Sequence, residues 1–182
     1  MTEGTERQTE RQTERDSARA LDRRSSGQPE GRRELLSVRI GDQEFAIDIC
    51  AIREIRGWIA STHLPHAPSY IKGMINLRGI VLLVIDLAER LGLPPQAPSP
   101  ASVVVVVEDE ARVAGLLVDA VCDIITVTDE MRQATPETGG AMSSRYIEGL
   151  IMMEQGITGI IAIPAVMPDD EAETLLAEAE LA

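Results

Sequence analysis

The sequence predicts a mainly β protein: two small β-barrels built alike, preceded by a polar tail and closed by a C-terminal helix. Three observations carry this reading. Short apolar segments of strand length recur from Leu35 onward, separated by Gly, Pro and Asp turn signals. Ile80–Ile85 and Val103–Val107 are continuous apolar runs, as expected of strands buried on both faces. The chain also repeats itself. FAIDICAIREI (45–55) echoes VAGLLVDAVCDII (113–125), which matches Ile52 with Val121, Glu54 with Asp123 and Ile55 with Ile124. YIKGMI (70–75) echoes YIEGLI (146–151) in the same order. Two copies of about seventy residues, each of about five short strands, imply two like barrels that pack on each other, since each is small for an independent core.

Residues 1–33 hold a repeated TERQ tetrapeptide and almost no apolar side chains. On a helix, Glu6, Glu10 and Glu14 would sit four residues apart, as would Arg7, Arg11 and Arg15, and repel. A disordered tail is expected. Leu36–Ile40, a turn over 41–43, and Glu44–Ile49 form a hairpin with Phe45, Ile47 and Ile49 alternating inward. Ala51–Gly57 continues as turn and strand, presenting Arg53, Glu54 and Arg56. Pro65 and Pro68 mark a loop.

Tyr70–Leu87 organises the rest: chain turning at Gly73, a short strand, an Asn76-Leu77-Arg78-Gly79 turn, then the Ile80–Ile85 strand. That turn holds one charged side chain, Arg78, between apolar strands. Asp86 caps a short helix that Gly92 ends, and 93–100 is a proline-rich linker. Val103–Val107 and Val113–Val118 form a second hairpin about a turn at 108–111, Asp119–Val127 continues as strand, and Thr128–Met142 reads as polar loop. Tyr146–Ile151 and Gly156–Ile163 are the last strands. Asp169–Ala182, with acidic residues first and Leu175, Leu176 and Leu181 later, reads as an amphipathic helix.

The totals exclude several classes. Net charge is −13 over 182 residues, which argues against nucleic acid and anionic membrane as partners. Phe45, Trp58, Tyr70 and Tyr146 are all the aromatics, too few for a base-stacking platform. No apolar run approaches the roughly 20 residues that span a bilayer, and the N-terminus lacks a secretory apolar segment. A soluble cytoplasmic protein is expected, without membrane insertion. Cys50 and Cys122 sit in apolar strand contexts, and buried thiols are the default reading.

His63-x-x-His66 has no third ligand nearby and lies in a proline loop, where histidines are usually solvated. Asp86, Asp119, Asp123 and the 108–110 acidic run are explained by caps and turns, with no nucleophile or phosphate loop beside them. No metal, cofactor or catalysis is expected.

The segments 45–57, LPHAPSYIKGMINLRGIVLLVIDL (64–87), AGLLVDAVCDI (114–124) and 146–151 resemble the CheW family of chemotaxis coupling proteins. The resemblance covers roughly residues 35–168. It implies two intertwined SH3-like five-stranded β-barrels (residues 34–168, with the helix over 169–182) and no catalysis. It also implies two partners: the cytoplasmic tips of methyl-accepting receptors, and the regulatory domain of a CheA-type histidine kinase. Ile52, Glu54, Gly73 and Arg78 fall where the family contacts the receptor, with Val103, Val121 and Ile124 lining the groove between barrels. Arg78 would pair with an acidic receptor residue. Leu83 stands where the family often has proline, the last hairpin is unusually apolar, and Pro164 interrupts the closing strand region.

Blander readings stand beside these. From spacing alone Arg78 is a solvated hairpin arginine, and Glu54 with Arg56 a cross-strand surface pair worth about 0.2–1 kcal/mol. Ile52, Val121 and Ile124 read as core or as groove. The runner-up reading is a small-molecule or peptide ligand in the groove, bound without any kinase.

Overall fold

The computed structural model describes residues 31–135 and 143–181. Eleven strands and four short helices follow one another in the described chain. They are β1 (Arg32–Ile40), β2 (Gln43–Asp48), β3 (Ile52–Gly57), β4 (Ile71–Leu77), β5 (Ile80–Asp86) and α1 (Leu87–Arg90), then β6 (Val103–Asp109), β7 (Arg112–Val118), β8 (Ala120–Thr128) and β9 (Arg132–Gln133). The last are α2 (Ser143–Tyr146), β10 (Ile147–Met153), β11 (Gly156–Ile161), α3 (Ile163–Val166) and α4 (Asp170–Leu181). The tail reading lies outside the described residues except at its end, where Arg32 and Arg33 already pair with Thr128 and Val127. The expected polar loop lies partly outside them too, at 136–142, and its described part carries β9.

The strands form two sheets that exchange hairpins. One runs β8-β1-β2-β11-β10-β9 and the other β3-β6-β7-β5-β4. Each sheet thus takes one half's opening hairpin and the other half's remaining strands. Two parallel pairings make the exchange, β2 beside β11 and β5 beside β7. The barrels are intertwined, as the family resemblance implied.

Register confirms the repeat. Ile52 faces Val107 and Ile55 faces Val105 in one sheet, while Val121 faces Val38 and Ile124 faces Leu36 in the other. Ile71 and Gly73 face Ile85 and Val84 across a register shift, and Ile147 and Gly149 face Ile161 and Ile160 across the same shift.

Strand alternation explains the continuous apolar runs. Val104, Val106, Leu82 and Val84 fill the inside of the second sheet with Ile75, Leu77 and Leu117. Their neighbours Val105, Val107, Leu83 and Ile85 point the other way, into a larger cluster shared by both sheets. The first sheet has its own small core of Leu35, Ala46, Val127, Ile151 and Ile160. Each sheet curls about one core, and the two barrels meet over the shared one. Fully burying a Val or Leu contributes about 1.5–3 kcal/mol, so a run buried on both faces serves two cores at once. Leu83, the departure from the family's proline, fills the shared core.

Gly115 lies inside the second barrel, where an added Cβ would stand 2.6 Å from Val104 Cγ1 and 3.3 Å from Leu82 Cδ1. Gly115→Ala should therefore cost about 1–3 kcal/mol by overpacking. Gly57→Ala, whose Cβ meets nothing within 4 Å, is the matched control. Equal urea midpoints for the two variants would refute this packing.

Several local expectations are corrected. Asn76 and Leu77 belong to β4, and the turn is only Arg78-Gly79. Ile80 is exposed and Val81 half-buried, so two-sided burial begins at Leu82. Ile49 leaves the hairpin for a 3-10 turn that Asp48 caps, its carboxylate accepting from Cys50 N at 2.9 Å. Tyr146 closes α2 rather than opening a strand, and Ile163 starts α3. Cys50 and Cys122 are exposed, because the outer faces of the 3-10 turn and of edge strand β8 meet no second layer. On α4, Ala172 is buried and Leu175, Leu176 and Ala179 pack on the shared core, while Leu181 is exposed.

Candidate functional site

The β4–β5 hairpin ends in two residues at positive φ, Arg78 at 54° and Gly79 at 87°. That pair of dihedrals is what a two-residue hairpin turn demands, and Asn or Gly usually supplies it. An arginine held there costs of order 1 kcal/mol, a strain that points to function. Asn76 Oδ1 accepts from Gly79 N at 2.9 Å and helps hold the turn.

The turn leans toward edge strand β3. Glu54 Oε2 lies 3.0 Å from Arg78 Nη2, with the arginine 78% and the carboxylate 23% exposed. Such an exposed pair contributes no more than about 1 kcal/mol, so a stronger acidic partner could draw the guanidinium away. Arg53 of the same strand pairs with Glu108 of neighbouring β6 at 3.4 Å. Between β3 and the hairpin lies a shallow cleft floored by Leu77, Leu82 and Val106. Ile80 lines this cleft and stands exposed, an apolar complement to the charge.

The remaining sequence-predicted residues are placed differently. Gly73 is buried, and its φ of 142° shapes β4 rather than offering a surface. Ile52, Val103 and Val121 are half-buried against the shared core, with Ile52 and Val121 at equivalent positions of the two sheets. Ile124 is exposed on β8. The structure thus brings Glu54 and Arg78 into contact. His63 and His66 are both on the surface, and among the described residues no group of three His, Cys, Asp or Glu is disposed to hold a metal.

Sequence reasoning missed a polar cluster beneath the shared core. Arg90 donates to Asp169 Oδ1 at 3.0 Å and to the Met167 carbonyl at 2.9 Å. Its guanidinium stacks 4.0 Å from the Tyr70 ring and 5.4 Å from that of Tyr146, the two tyrosines of the repeat. Tyr70 donates to Asp169 Oδ2 at 2.8 Å. The Arg90 hydrogen bond, opposed by burial, holds the Asp169 carboxyl below its usual value. Burial and the Asp169 hydrogen bond together push the Tyr70 hydroxyl up. Burial pulls Arg90 down, but Asp169 and the two tyrosines leave it raised. One signal was legible: Arg90 lies three residues after Leu87, on the core-facing side of α1.

The model of the CheW-like domain matches residues 34–171. The chain belongs to the CheW-like domain family. It is 46% identical over 144 residues to the probable chemotaxis protein CheW of Rhizobium etli, covering 79% of this chain and 93% of that one. The chemotaxis protein CheW of Rhizobium meliloti is 43% identical over 143 residues, with 79% and 92% covered. Among solved structures, the scaffolding protein TtCheW of Thermoanaerobacter tengcongensis matches with a TM-score of 0.66 at 28% identity, over 71% of this chain and 88% of that one. The CheW-like segment thus takes in both barrels, the Arg78 turn, and the Arg90–Asp169 cluster.

Proposed function

We propose that this CheW-like chain is a non-enzymatic chemotaxis adaptor that couples methyl-accepting receptors to a CheA-type histidine kinase. The relatives' names as chemotaxis and scaffolding proteins support the general role. The observation that carries the receptor contact is Arg78, strained and exposed at a hairpin tip and, among the described residues, ion-paired with Glu54 alone. An acidic residue near the cytoplasmic tip of the receptor takes the guanidinium, and apolar side chains beside it take the receptor helix. Ile52, Val103, Val121 and Ile124 lie toward the groove between barrels on this reading, and Gly73 acts by setting the hairpin's course.

Function here is geometry and binding energy. Holding the kinase regulatory domain at the receptor tip lets receptor conformation bias the kinase, which is coupling through an assembled interface. No helix among the described residues is long and apolar enough to cross a membrane. On the adaptor reading, the protein acts in the cytoplasm and meets the membrane through the receptor.

The test is co-sedimentation with receptor-containing membranes, with and without kinase. Arg78→Glu should weaken receptor binding by about 1.5–3 kcal/mol, roughly tenfold to a hundredfold. It should cost less than about 1 kcal/mol of folding stability. Combining it with Glu54→Arg restores an internal pair of reversed polarity and should leave binding lost. Wild-type protein that ignores receptors would refute the coupling reading and favour a groove ligand. Equal pelleting of wild type and Arg78→Glu would remove Arg78 as the contact.

A further inference from the structure

The internal symmetry gives the Arg78 cleft a counterpart in the other barrel, and the counterpart has the opposite charge. Register sets the correspondence. Leu77 and Ile80 close the β4–β5 turn as Met153 and Gly156 close the β10–β11 turn, which puts Glu154 where Arg78 stands. Glu54 of β3 corresponds to Asp123 of β8 through the matched pairs Ile52 with Val121 and Ile55 with Ile124. Val106 and Val113 correspond to Ser37 and Glu44 in the two opening hairpins. Ser37, Glu44, Asp123, Met153 and Glu154 all line one cleft, as their equivalents line the other.

Chemistry differs at three of these five matched places, while Glu54 and Asp123 are both carboxylates and Leu77 and Met153 both apolar. The first cleft has a cation at its tip and apolar Val106 and Val113 in its wall. Its counterpart carries carboxylates at 44, 123 and 154, with the Ser37 hydroxyl buried and 3.5 Å from Glu44. The tip geometry differs too. Neither Glu154 nor Gln155 has the positive φ of Arg78 and Gly79. Asp123 accepts from the adjacent Ile124 N at 2.8 Å instead of reaching a turn residue.

An acidic segment brought to this cleft meets carboxylates and no cation among its lining residues, and juxtaposing like charges suppresses the wrong contact. We propose that Glu154 is the specificity determinant that confines recognition of an acidic receptor segment to the barrel that carries Arg78. Two similar barrels then give one receptor site per adaptor, and the Glu154 tip stays clear for other contacts. This inference rests on the Arg78 reading.

The experiment grafts the first tip onto the second, in a chain whose own tip is disabled. Arg78→Glu is combined with Glu154→Arg, and separately with Asp123→Glu, Glu154→Arg and Gln155→Gly together, which copies both the pair and the turn. Receptor-membrane co-sedimentation is the readout, and urea unfolding checks that each variant folds. Regained pelleting in either graft, to within about tenfold of the wild-type affinity, supports the proposal. In an otherwise wild-type chain the same graft should raise the receptors bound per adaptor at saturation. If Arg78→Glu loses binding and folded grafts regain none, charge at residue 154 does not decide the matter and the proposal falls while Arg78 stands. If Arg78→Glu binds as wild type does, the receptor reading of Arg78 fails, and this proposal with it.

Discussion

Gly73→Ala should lower folding stability by more than about 3 kcal/mol, a large part of the 5–15 kcal/mol typical of a domain. Two costs add. At φ 142° an L side chain is strained wherever it finds space. Here there is none, because the new Cβ would overlap the Thr62 carbonyl oxygen and approach Ser61 Oγ to 2.9 Å. Thr62 cannot retreat cheaply, since its N and O exchange hydrogen bonds of 2.8 Å with Met74. Ser61 is held as well, donating to the Lys72 carbonyl at 3.0 Å.

The repeat supplies the control. Gly149 occupies the equivalent place, has no positive φ, and its added Cβ would meet nothing nearer than Gln133 O at 3.4 Å. Gly149→Ala should cost less than about 1 kcal/mol. Urea midpoints decide the matter, and a Gly73→Ala loss as small as that of Gly149→Ala would refute the steric account. A Gly73→Ala protein that folds normally yet fails to bind receptors would make Gly73 a direct contact.

The contrast between these glycines shows what the sequence carries and what it does not. YIKGMI and YIEGLI read alike, and their registers are alike, because side-chain alternation and a shared register shift follow from local pattern. The closeness of Thr62 to one glycine alone depends on how an irregular loop returns, and no local pattern encodes that. The same division runs through the fold. Hairpins β1–β2, β4–β5 and β6–β7 were visible from apolar runs broken by turn residues. The parallel joins of β2 with β11 and β5 with β7, which intertwine the barrels, bring together residues far apart in sequence.

At the site, Arg78 was visible as a charge isolated between apolar strands. Its Glu54 partner was placed by the resemblance, and the sequence reading gave Glu54 a different neighbour, Arg56. Cys50 and Cys122 were misplaced because an apolar context predicts burial only if both faces of the strand are covered. Arg90 was overlooked because a charge in a short helix ordinarily points to solvent; two repeated tyrosines and Asp169 make its burial tolerable.

Asp169→Ala should destabilise the protein by about 2–3 kcal/mol at pH 7, by leaving a buried guanidinium without its carboxylate. The figure is set below that of a fully buried pair because Asp169 is 53% exposed, while Arg90 is only 6% exposed and cannot turn to water. The first consequence should be local. Helix α4 carries Glu178 and Glu180 near its C-terminus and no basic residue in its last turn, an arrangement the helix dipole disfavours. Its docking therefore relies on Ala172, Leu175, Leu176 and Ala179 against the shared core, and on Asp169 at its start. Hydrogen exchange in 170–181 should accelerate in the variant before the barrels loosen.

Acid gives a second reading of the same pair. Asp169 has a folded pKa below its ordinary value of about 3.9, so the pair's contribution is fully present above that pH and is lost as pH falls through the depressed value. The stability gap between wild type and Asp169→Ala should accordingly be widest near neutrality and shrink below about pH 4. Asp169→Asn, which keeps an acceptor without charge, should fall between the two at pH 7. A gap that stays constant from neutral to acid pH would mean that packing of the side chain, and not its charge on Arg90, fastens the C-terminal helix to the barrels.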